Sequence, residues 1–277
     1  MNDLVLTNPA EQAKLAAILG ASQDAGADRM PVLKVNTKRR DAEGKKIPEG
    51  HFVVTGTDEA VYADKVSIRV LSQMFQWMHF DQEAKKLTNK TILIPSFRVE
   101  PIDMKGGVRC GKPASKVFRE LSKAEQKKYD DITCYRQLRV LVSYTGKTAD
   151  GAEVTVSNQP AILMLKGSNF SPFEDEVVKR LPKGKNLYDF NITLSTSEHE
   201  NGSVTYYIIH FEPDLYNPLA LDRDTIDTMY HIVDMIEVEN RKVREAYDRS
   251  LRQSNASDAA MDAIDDLDGD FLDEEAA

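Results

Sequence analysis

The chain has 277 residues, 41% of them hydrophobic and 8% aromatic, with 36 Lys and Arg against 45 Asp and Glu for a net charge of −9. This hydrophobic content is enough for a globular core. The chain contains no long apolar run, and Met1–Leu6 lacks a basic segment followed by an apolar stretch, so we expect an intracellular protein with no membrane span or signal peptide.

Residues 1–29 are predicted to form an N-terminal helical arm and a linker. Asn8 is suited to cap a helix, Pro9 to occupy its first position and Glu11 to complete a capping box. The stretch from Gly20 to Asp28 is rich in Gly, Ala and Asp and separates this arm from the body.

Residues 30–221 alternate mainly with period two, which is typical of β-strands. The runs are Val32–Asn36, His51–Thr55, Val66–Leu71, Thr91–Ile94, Ile132–Tyr144, Glu153–Ser157, Ala161–Lys166, Leu187–Thr196 and Val204–Phe211. Asn201-Gly202 and Asp150-Gly151 are hairpin signals. Because the strands follow one another without alternating helices, the pattern favours a mainly β (α+β) fold, a Greek-key barrel with helical insertions.

Three helices are predicted within or after this region. Ser122 with Glu125 and Ser171 with Glu174 form capping-box patterns at the start of two short helices. Residues 222–253 carry apolar side chains at helical spacing to about Leu251 and predict one long amphipathic helix. Its apolar stripe leaves open whether the helix packs on the barrel or on a copy of itself, so a homo-oligomer is possible.

Residues 254–277 are predicted to form a disordered acidic tail. Nine of the 45 acidic residues lie between Asp258 and Ala277, where there is no Lys or Arg, and removing them leaves 36 acidic and 36 basic residues in the body. A run of like charges with few apolar residues cannot offset its ordering entropy, and such runs often act as interaction tails.

The sequence contains few signals for catalysis or metal binding. Gly146-Lys147-Thr148 matches only the end of a phosphate-binding loop, because Leu141 stands where an earlier glycine is required. Cys110 and Cys134 belong to no paired motif, and in an intracellular protein we expect them to be buried and reduced. We expect no catalytic residue and no cofactor, and whether the two cysteines bind metal stays open.

The segment Lys85–Lys147, which we call the basic zone, contains fifteen basic and six acidic residues. Within it, Tyr135 and Arg139 share the face of a predicted strand that we expect to meet solvent or a ligand. A base stacked on a ring beside a cation that meets phosphate is a common mode of single-strand binding. The candidate contact residues are Tyr135, Arg139, Trp77, Arg69, Lys90, Arg98, Arg109, Lys112 and Lys116.

Three segments, Val66–Trp77, Val108–Pro113 and Ile132–Gln137, together with the acidic tail, give the chain a resemblance to bacteriophage single-stranded DNA-binding proteins of the OB-fold type. The resemblance implies an OB-fold-like barrel that binds single-stranded DNA without sequence preference in phage DNA replication, recombination or repair. It also implies a location in the cytoplasm of the infected bacterial host.

The tail segment Asp265-Asp266-Leu267-Asp268-Gly269-Asp270-Phe271 is similar to the acidic tails of that class. By that resemblance Asp265, Asp266, Asp268, Asp270 and Phe271 would recruit phage or host replication proteins such as DNA polymerase, helicase or primase. The tail would also compete with DNA for the basic zone, since the two segments carry opposite charges of equal size.

Two other classes of protein remain open. One is a regulatory or interaction protein, such as a transcription co-factor, that acts through the acidic tail. The other, less supported, is an enzyme that processes nucleic acid, for which no motif is present.

Overall fold

The computed structural model describes residues 30–57, 59–202 and 204–271, with side chains described as far as residue 253. The predicted arm of residues 1–29 lies outside the described residues. Within the described ranges, no helix is both long and apolar enough to cross a lipid bilayer.

The described residues form a single sheet with nine strands. These are β1 (Val32–Val35), β2 (Phe52–Thr55), β3 (Val61–Ala63), β4 (Val66–Asp81), β5 (Lys86–Lys90), β6 (Ile132–Thr148), β7 (Glu153–Leu165), β8 (Asn191–Asn201) and β9 (Val204–Pro213). Four α-helices accompany them: α1 (Ser115–Glu120), α2 (Lys123–Lys127), α3 (Phe170–Glu176) and α4 (Arg223–Phe271).

Five strands close on themselves and form what we call the barrel. β1 pairs with β2, β2 with β3, β3 with β6 and β6 with β7, all antiparallel, and β7 returns parallel to β1. β4 extends the sheet from β6, β5 and β8 pair with β4, and β9 pairs with β8. The mainly β architecture with a C-terminal helix is confirmed, and the OB-fold identity of the barrel stays a prediction.

A glycine permits the closure between β3 and β6, where Tyr62 pairs with Lys147. A β-carbon on Gly146 would lie 2.5 Å from the carbonyl oxygen of Tyr62. No side chain tolerates such an approach, so only glycine lets the two backbones come this close. The Gly146-Lys147-Thr148 segment therefore serves the closure of the barrel.

The predicted strands are mostly present, with shifted boundaries. Both hairpins are confirmed, and their glycines have the left-handed φ that such turns require, 63° at Gly202 and 84° at Gly151. The run Thr91–Ile94 forms only isolated bridges, and the strand is β5, immediately before it. The predicted Glu153–Ser157 and Ala161–Lys166 are one strand, β7.

The barrel core extends onto β4 and is built from alternate residues of the long strands. Ile68 and Val70 of β4 and Leu138 and Val140 of β6 are completely buried in it. The register of β4 against β6 shifts after Val70, so that Leu71 lies in a bulge. Leu71 packs on the side of the sheet opposite Val70, as strand alternation requires, and lies against the C-terminal helix.

One of the two predicted capping boxes is confirmed. Ser122 Oγ accepts a hydrogen bond from the Glu125 backbone, and the Glu125 carboxylate accepts one from the Ser122 backbone. The box predicted at Ser171 is wrong: α3 is preceded by Asn169, and Glu174 instead accepts a hydrogen bond from Arg136. The Glu174 carboxylate therefore pairs with the buried Arg136 guanidinium instead of capping the helix, as the local pattern had predicted.

Helix α4 covers the outer face of β4 and β6. Ile232 and Ile236 pack against Leu71 in a cluster of buried apolar residues. One turn further on, Asn240 exchanges hydrogen bonds of 2.6 and 3.0 Å with the backbone of Leu93. The helix is therefore fixed to the sheet by both apolar packing and specific hydrogen bonds.

The start of α4 matches the prediction, but its end does not. The Asp222 carboxylate accepts a 2.7 Å hydrogen bond from the backbone N–H of Thr225, which lowers the pKa of Asp222. The helix continues to Phe271 rather than ending near Leu251, through a segment in which several alanines favour helix. Its backbone is thus helical where a disordered tail was predicted, and its side chains beyond residue 253 lie outside the described ones.

Candidate nucleic-acid interface

A cavity of about 500 Å³ lies where β4 and β6 meet the segment that connects β5 to β6. We call it the aromatic–basic cavity, because its walls contain four aromatic rings and three cations, with no acidic side chain among these lining residues. It is lined by Trp77, Ile94, Phe97, Val99, Pro101, Arg109, Lys112, Pro113, Ala114, Ser115, Phe118, Arg119, Cys134 and Phe170.

Strand alternation places Trp77 in this cavity. Trp77 of β4 pairs with Cys134 of β6, and directly paired residues of antiparallel strands project from the same face. Because Cys134 and Leu138 are separated by an even number of positions, this face continues the one that lines the barrel core. The cavity is therefore an extension of the barrel interior toward solvent.

Phe97 is the most open ring of the cavity. Its residue is 57% exposed, and its ring lies 5.6 Å from that of Trp77 and 4.3 Å from that of Phe75, measured between centroids. Phe75 is in turn buried in an apolar cluster with Ile94. An exposed ring packed against one buried and one partly buried ring offers a platform for stacking.

The three cations of the cavity differ in how firmly they are held. Lys112 Nζ donates a 2.7 Å hydrogen bond to the carbonyl of Ile132 and lies 4.9 Å from the centroid of Phe118. Burial lowers the pKa of Lys112, and the nearby Asp130 opposes this effect. Arg119 Nε donates to the Ser115 carbonyl.

Arg109 sits on a left-handed turn beside the cavity. Arg109, Cys110 and Gly111 have φ values of 55°, 56° and 88°, and for the two residues that are not glycine this conformation costs about 1–3 kcal/mol each. Within the part of the chain that the structure describes, the guanidinium of Arg109 has no hydrogen-bond partner. The strained turn thus presents an unpaired cation to the cavity.

Two further predicted contact residues lie on the segments that form the cavity wall. Arg98 is exposed between the lining residues Phe97 and Val99, and Lys116 is exposed immediately after Ser115. Of the nine predicted contact residues, the structure therefore brings Trp77, Arg109 and Lys112 into the cavity and places Arg98 and Lys116 beside it.

The face of β6 that we predicted to meet solvent or a ligand is instead covered by α4. Arg139 is only 1% exposed, and its Nη2 lies 3.6 Å from the carboxylate of Glu239. Burial lowers the pKa of Arg139, and Glu239 opposes this effect. On the same face Gln137 is buried and donates a 2.7 Å hydrogen bond to Gln76. The prediction for this face is wrong because period-two alternation does not reveal what a distant helix covers.

Tyr135 shares that face by alternation and so points away from the aromatic–basic cavity. Its partly buried ring lies 5.5 Å from Lys166 Nζ. The structure therefore does not bring Tyr135 together with Trp77.

Arg69 and Lys90 are also engaged in the fold. Arg69 is buried and donates hydrogen bonds of 2.7 and 2.9 Å to the carbonyls of Tyr188 and Ala220, which anchors the chain just before α4. Lys90 Nζ lies 3.1 Å from the Glu239 carboxylate. Arg69 was predicted to contact DNA, but its guanidinium is committed to backbone carbonyls and is unable to reach a ligand.

A second cavity, of about 580 Å³, adjoins the first and shares two of its lining residues, Phe97 and Phe170. Its charged side chains are paired: Arg136 with Glu174 at 2.9 Å and Lys179 with Asp175 at 2.6 Å. We call it the paired-charge cavity. In contrast to its neighbour, it has no net charge.

Phe170 is the site residue that the sequence did not indicate. It precedes the predicted capping motif, and its ring lies within 6.0 Å of Phe75 and 4.9 Å of the Arg136 guanidinium, measured to ring centroids. Phe97, Phe118 and Arg119 were visible as aromatic or basic residues of the basic zone, but nothing in their spacing singled them out.

The two cysteines lie near Trp77, and Cys110 is buried as predicted, whereas Cys134 is only partly buried. Cys110 Sγ is 3.6 Å from the Trp77 carbonyl oxygen, and Cys134 lines the aromatic–basic cavity. Burial raises the pKa of both thiols to about 12. Among the residues with described side chains, no three His, Cys, Asp or Glu are grouped so that they could hold a metal ion.

The side chains of the predicted tail site, Asp265, Asp266, Asp268, Asp270 and Phe271, lie outside the described ones. Comparison with known proteins adds no further information, because no family model, no curated protein and no solved structure matches the chain.

Proposed function

We propose that the protein binds single-stranded DNA, and that the aromatic–basic cavity is its contact site. The observation that carries this proposal is the exposed ring of Phe97, which rests on Trp77 beside three cations and no lining carboxylate. Every base has a face that stacks on an aromatic ring, and cations attract the phosphates between bases. Such a site binds a strand with little dependence on sequence.

The geometry favours a single strand over a duplex. In a duplex the base faces are covered by their neighbours, whereas the rings of the cavity offer stacking only to bases that are free to leave a stack. An extension of the barrel interior that opens at Phe97 is concave and mostly apolar, which suits a base better than a paired helix. The closed five-stranded barrel is compatible with an OB-fold, a fold that often binds single strands.

The wider role follows from the resemblance to phage single-stranded DNA-binding proteins. We propose that the protein acts in phage DNA replication, recombination or repair, with the acidic tail recruiting replication proteins such as DNA polymerase, helicase or primase. The tail and the basic zone carry charges of −9 and +9 at neutral pH. We therefore expect the tail to compete with DNA for the cavity.

Trp77 is the only tryptophan of the chain, so its fluorescence reports on the cavity alone. Titration with a single-stranded oligonucleotide should quench this fluorescence saturably, because a base that stacks in the cavity contacts the indole or its Phe97 neighbour. Duplex DNA of the same sequence should quench it much less, and an RNA strand tests the sugar preference. Absence of quenching together with absence of a gel shift would overturn the proposal.

A further inference from the structure

The paired-charge cavity differs chemically from the aromatic–basic cavity. We therefore expect it to bind a different part of the same DNA strand. Phe97 and Phe170 line both cavities, so a strand stacked on Phe97 passes from one to the other. In the paired-charge cavity each cation already has a carboxylate partner, Glu174 for Arg136 and Asp175 for Lys179. A phosphate gains little there, whereas an uncharged base fits.

Arg136 fixes the groups that such a base would meet. Its guanidinium is 2% exposed and lies within 5.3 Å of three phenyl centroids, those of Phe75, Phe170 and Phe173. Nη1 donates a 2.8 Å hydrogen bond to Gln73 Oε1, and Nη2 donates one of 2.9 Å to Glu174 Oε2. The buried cation therefore holds an amide and a carboxylate side by side.

Each of these two groups keeps a free hydrogen-bonding atom. Glu174 uses Oε2 for Arg136, its side chain is 39% exposed, and Oε1 has no partner among the described residues. Gln73 accepts through Oε1, which leaves the Nε2 amide as a donor without a partner in the same part of the structure. The cavity thus offers a fixed acceptor beside a fixed donor.

We infer that the paired-charge cavity is a base-reading subsite that prefers cytosine to thymine, an inference that rests on the proposed single-strand binding. The N4 amino group of cytosine donates to the Glu174 carboxylate, and the adjacent N3 accepts from the Gln73 amide. Thymine also presents a donor beside an acceptor, N3–H beside O4, but that N–H lies between two carbonyl oxygens that repel the carboxylate, so thymine should bind less tightly. The protein would then bind any strand but bind cytosine-containing strands more tightly than thymine-containing ones.

The test compares oligonucleotides of equal length made of dC, dT or dU, by fluorescence anisotropy at neutral pH and constant salt. We expect the wild-type protein to bind dC at least about fivefold more tightly than dT, the lower end of the discrimination expected from one good bidentate base contact. The dU strand lacks the methyl group of thymine, so it should behave like dT if the amino group is what the site reads.

Glu174→Gln should reduce the ratio of dC to dT affinity to about one, because the amide is a weaker acceptor and presents a competing donor. Asp175→Asn is the matched control: it removes the same charge from the same cavity, and the ratio should persist. A wild-type ratio near one, or a ratio that survives in Glu174→Gln, would overturn the inference. If Glu174→Gln does not fold, the wild-type comparison of dC, dT and dU decides alone.

The two proposals fail in different ways. If the wild-type protein binds none of the three strands, the proposed function itself is wrong. If it binds all three equally, single-strand binding stands and only the base-reading subsite is rejected.

Discussion

The rings of Trp77 and Phe97 meet nearly at right angles, with 77° between their planes and 5.6 Å between their centroids. Trp77 is partly buried on β4, whereas more than half of Phe97 is exposed. This arrangement holds Phe97 from one side and leaves the rest of the ring free. The more exposed residue of the pair therefore offers the stacking surface, and the more buried one keeps it in place.

Phe97→Ala should weaken single-strand binding by about 1–3 kcal/mol, or roughly 5- to 150-fold, because it removes one stacked base. Phe80→Ala is the matched control, since Phe80 is also an exposed phenylalanine, 39% exposed, but lies outside the cavity. Binding isotherms by anisotropy measure both variants. Equal losses in the two would mean that the cavity is not the contact site.

Arg109→Ala should weaken binding and make it less sensitive to salt. The guanidinium has no hydrogen-bond partner among the described residues, so it is available for one phosphate, and losing that contact should reduce the slope of log affinity against log salt by about 1. Arg223→Ala provides the control, because Arg223 is an arginine with 93% side-chain exposure at the start of α4. If the slope of log affinity against log salt is unchanged in Arg109→Ala, Arg109 does not contact a phosphate of the strand.

Arg139 and Glu239 should affect stability rather than binding. In Arg139→Met a buried guanidinium, whose Nε and Nη1 have no partner within the described residues, is replaced by an apolar chain of similar length. We expect unfolding free energy to stay the same or to rise. Glu239→Ala leaves Arg139 buried without its carboxylate and should cost about 2 kcal/mol, a value reduced because Glu239 is partly exposed.

Urea denaturation measures both variants, and strand binding by Arg139→Met should match the wild type. A greater loss of stability in Arg139→Met than in Glu239→Ala would show that the guanidinium stabilises the fold. Loss of strand binding in Arg139→Met would show that Arg139 contributes to DNA binding, as the sequence analysis predicted.

The raised pKa values of the two thiols predict that the protein becomes less stable at alkaline pH. Burial raises the pKa of Cys110 and Cys134 from the ordinary 9.0 to about 12. Well below pH 9 both thiols are protonated in the folded and the unfolded chain and have no effect on the pH dependence of stability. Between about pH 9 and pH 12 the unfolded chain loses protons that the folded chain retains, so stability should fall.

The Cys110→Ala/Cys134→Ala variant should lose less stability over this pH range than the wild type, as measured by urea denaturation at each pH. Buried tyrosines contribute to both proteins alike, so the difference between the two curves isolates the cysteines. Parallel curves would show that the thiols ionise at their ordinary pH in the folded chain. Slow labelling of the native thiols, compared with the unfolded chain, is an independent check.

Deletion of residues 258–277 should tighten single-strand binding at low salt. The deletion removes nine negative charges that compete with DNA for the basic zone. The gain should disappear at high salt, where the competition is screened. A full-length variant in which these nine acids are replaced by Asn and Gln should behave like the deletion. Unchanged or weaker binding in both variants would reject competition by the tail.

Local patterns predicted the parts of the fold that depend on neighbouring residues. The hairpins at Asp150-Gly151 and Asn201-Gly202, the Ser122 capping box and the start of α4 are each fixed within a few positions of sequence. The mainly β architecture follows from the alternation of the long strands. Closure of the barrel through Gly146 was not predictable, because the atom that forbids a side chain belongs to Tyr62, far away in the sequence.

The site was predicted only in part, and for a related reason. Composition identified the basic zone, and Trp77, Arg109 and Lys112 of the predicted set do line one cavity. Alternation alone was unable to tell which face of β6 is free, because that depends on α4, which begins about 75 residues after β6 ends. Arg139 was therefore predicted to contact DNA, whereas in the structure it lies against Glu239 of α4.

The docking of α4 also sets an order of events during synthesis. The outer face of β4 and β6 carries Gln76, Gln137 and Arg139, and the helix residue that completes this group is Glu239. Since a chain emerges from the ribosome N-terminus first, the strands are complete while the helix is still inside the exit tunnel. For that interval the face is open to water. Its amides and its guanidinium are then hydrated, whereas Leu71 on the same face stays exposed to water until the helix docks on it.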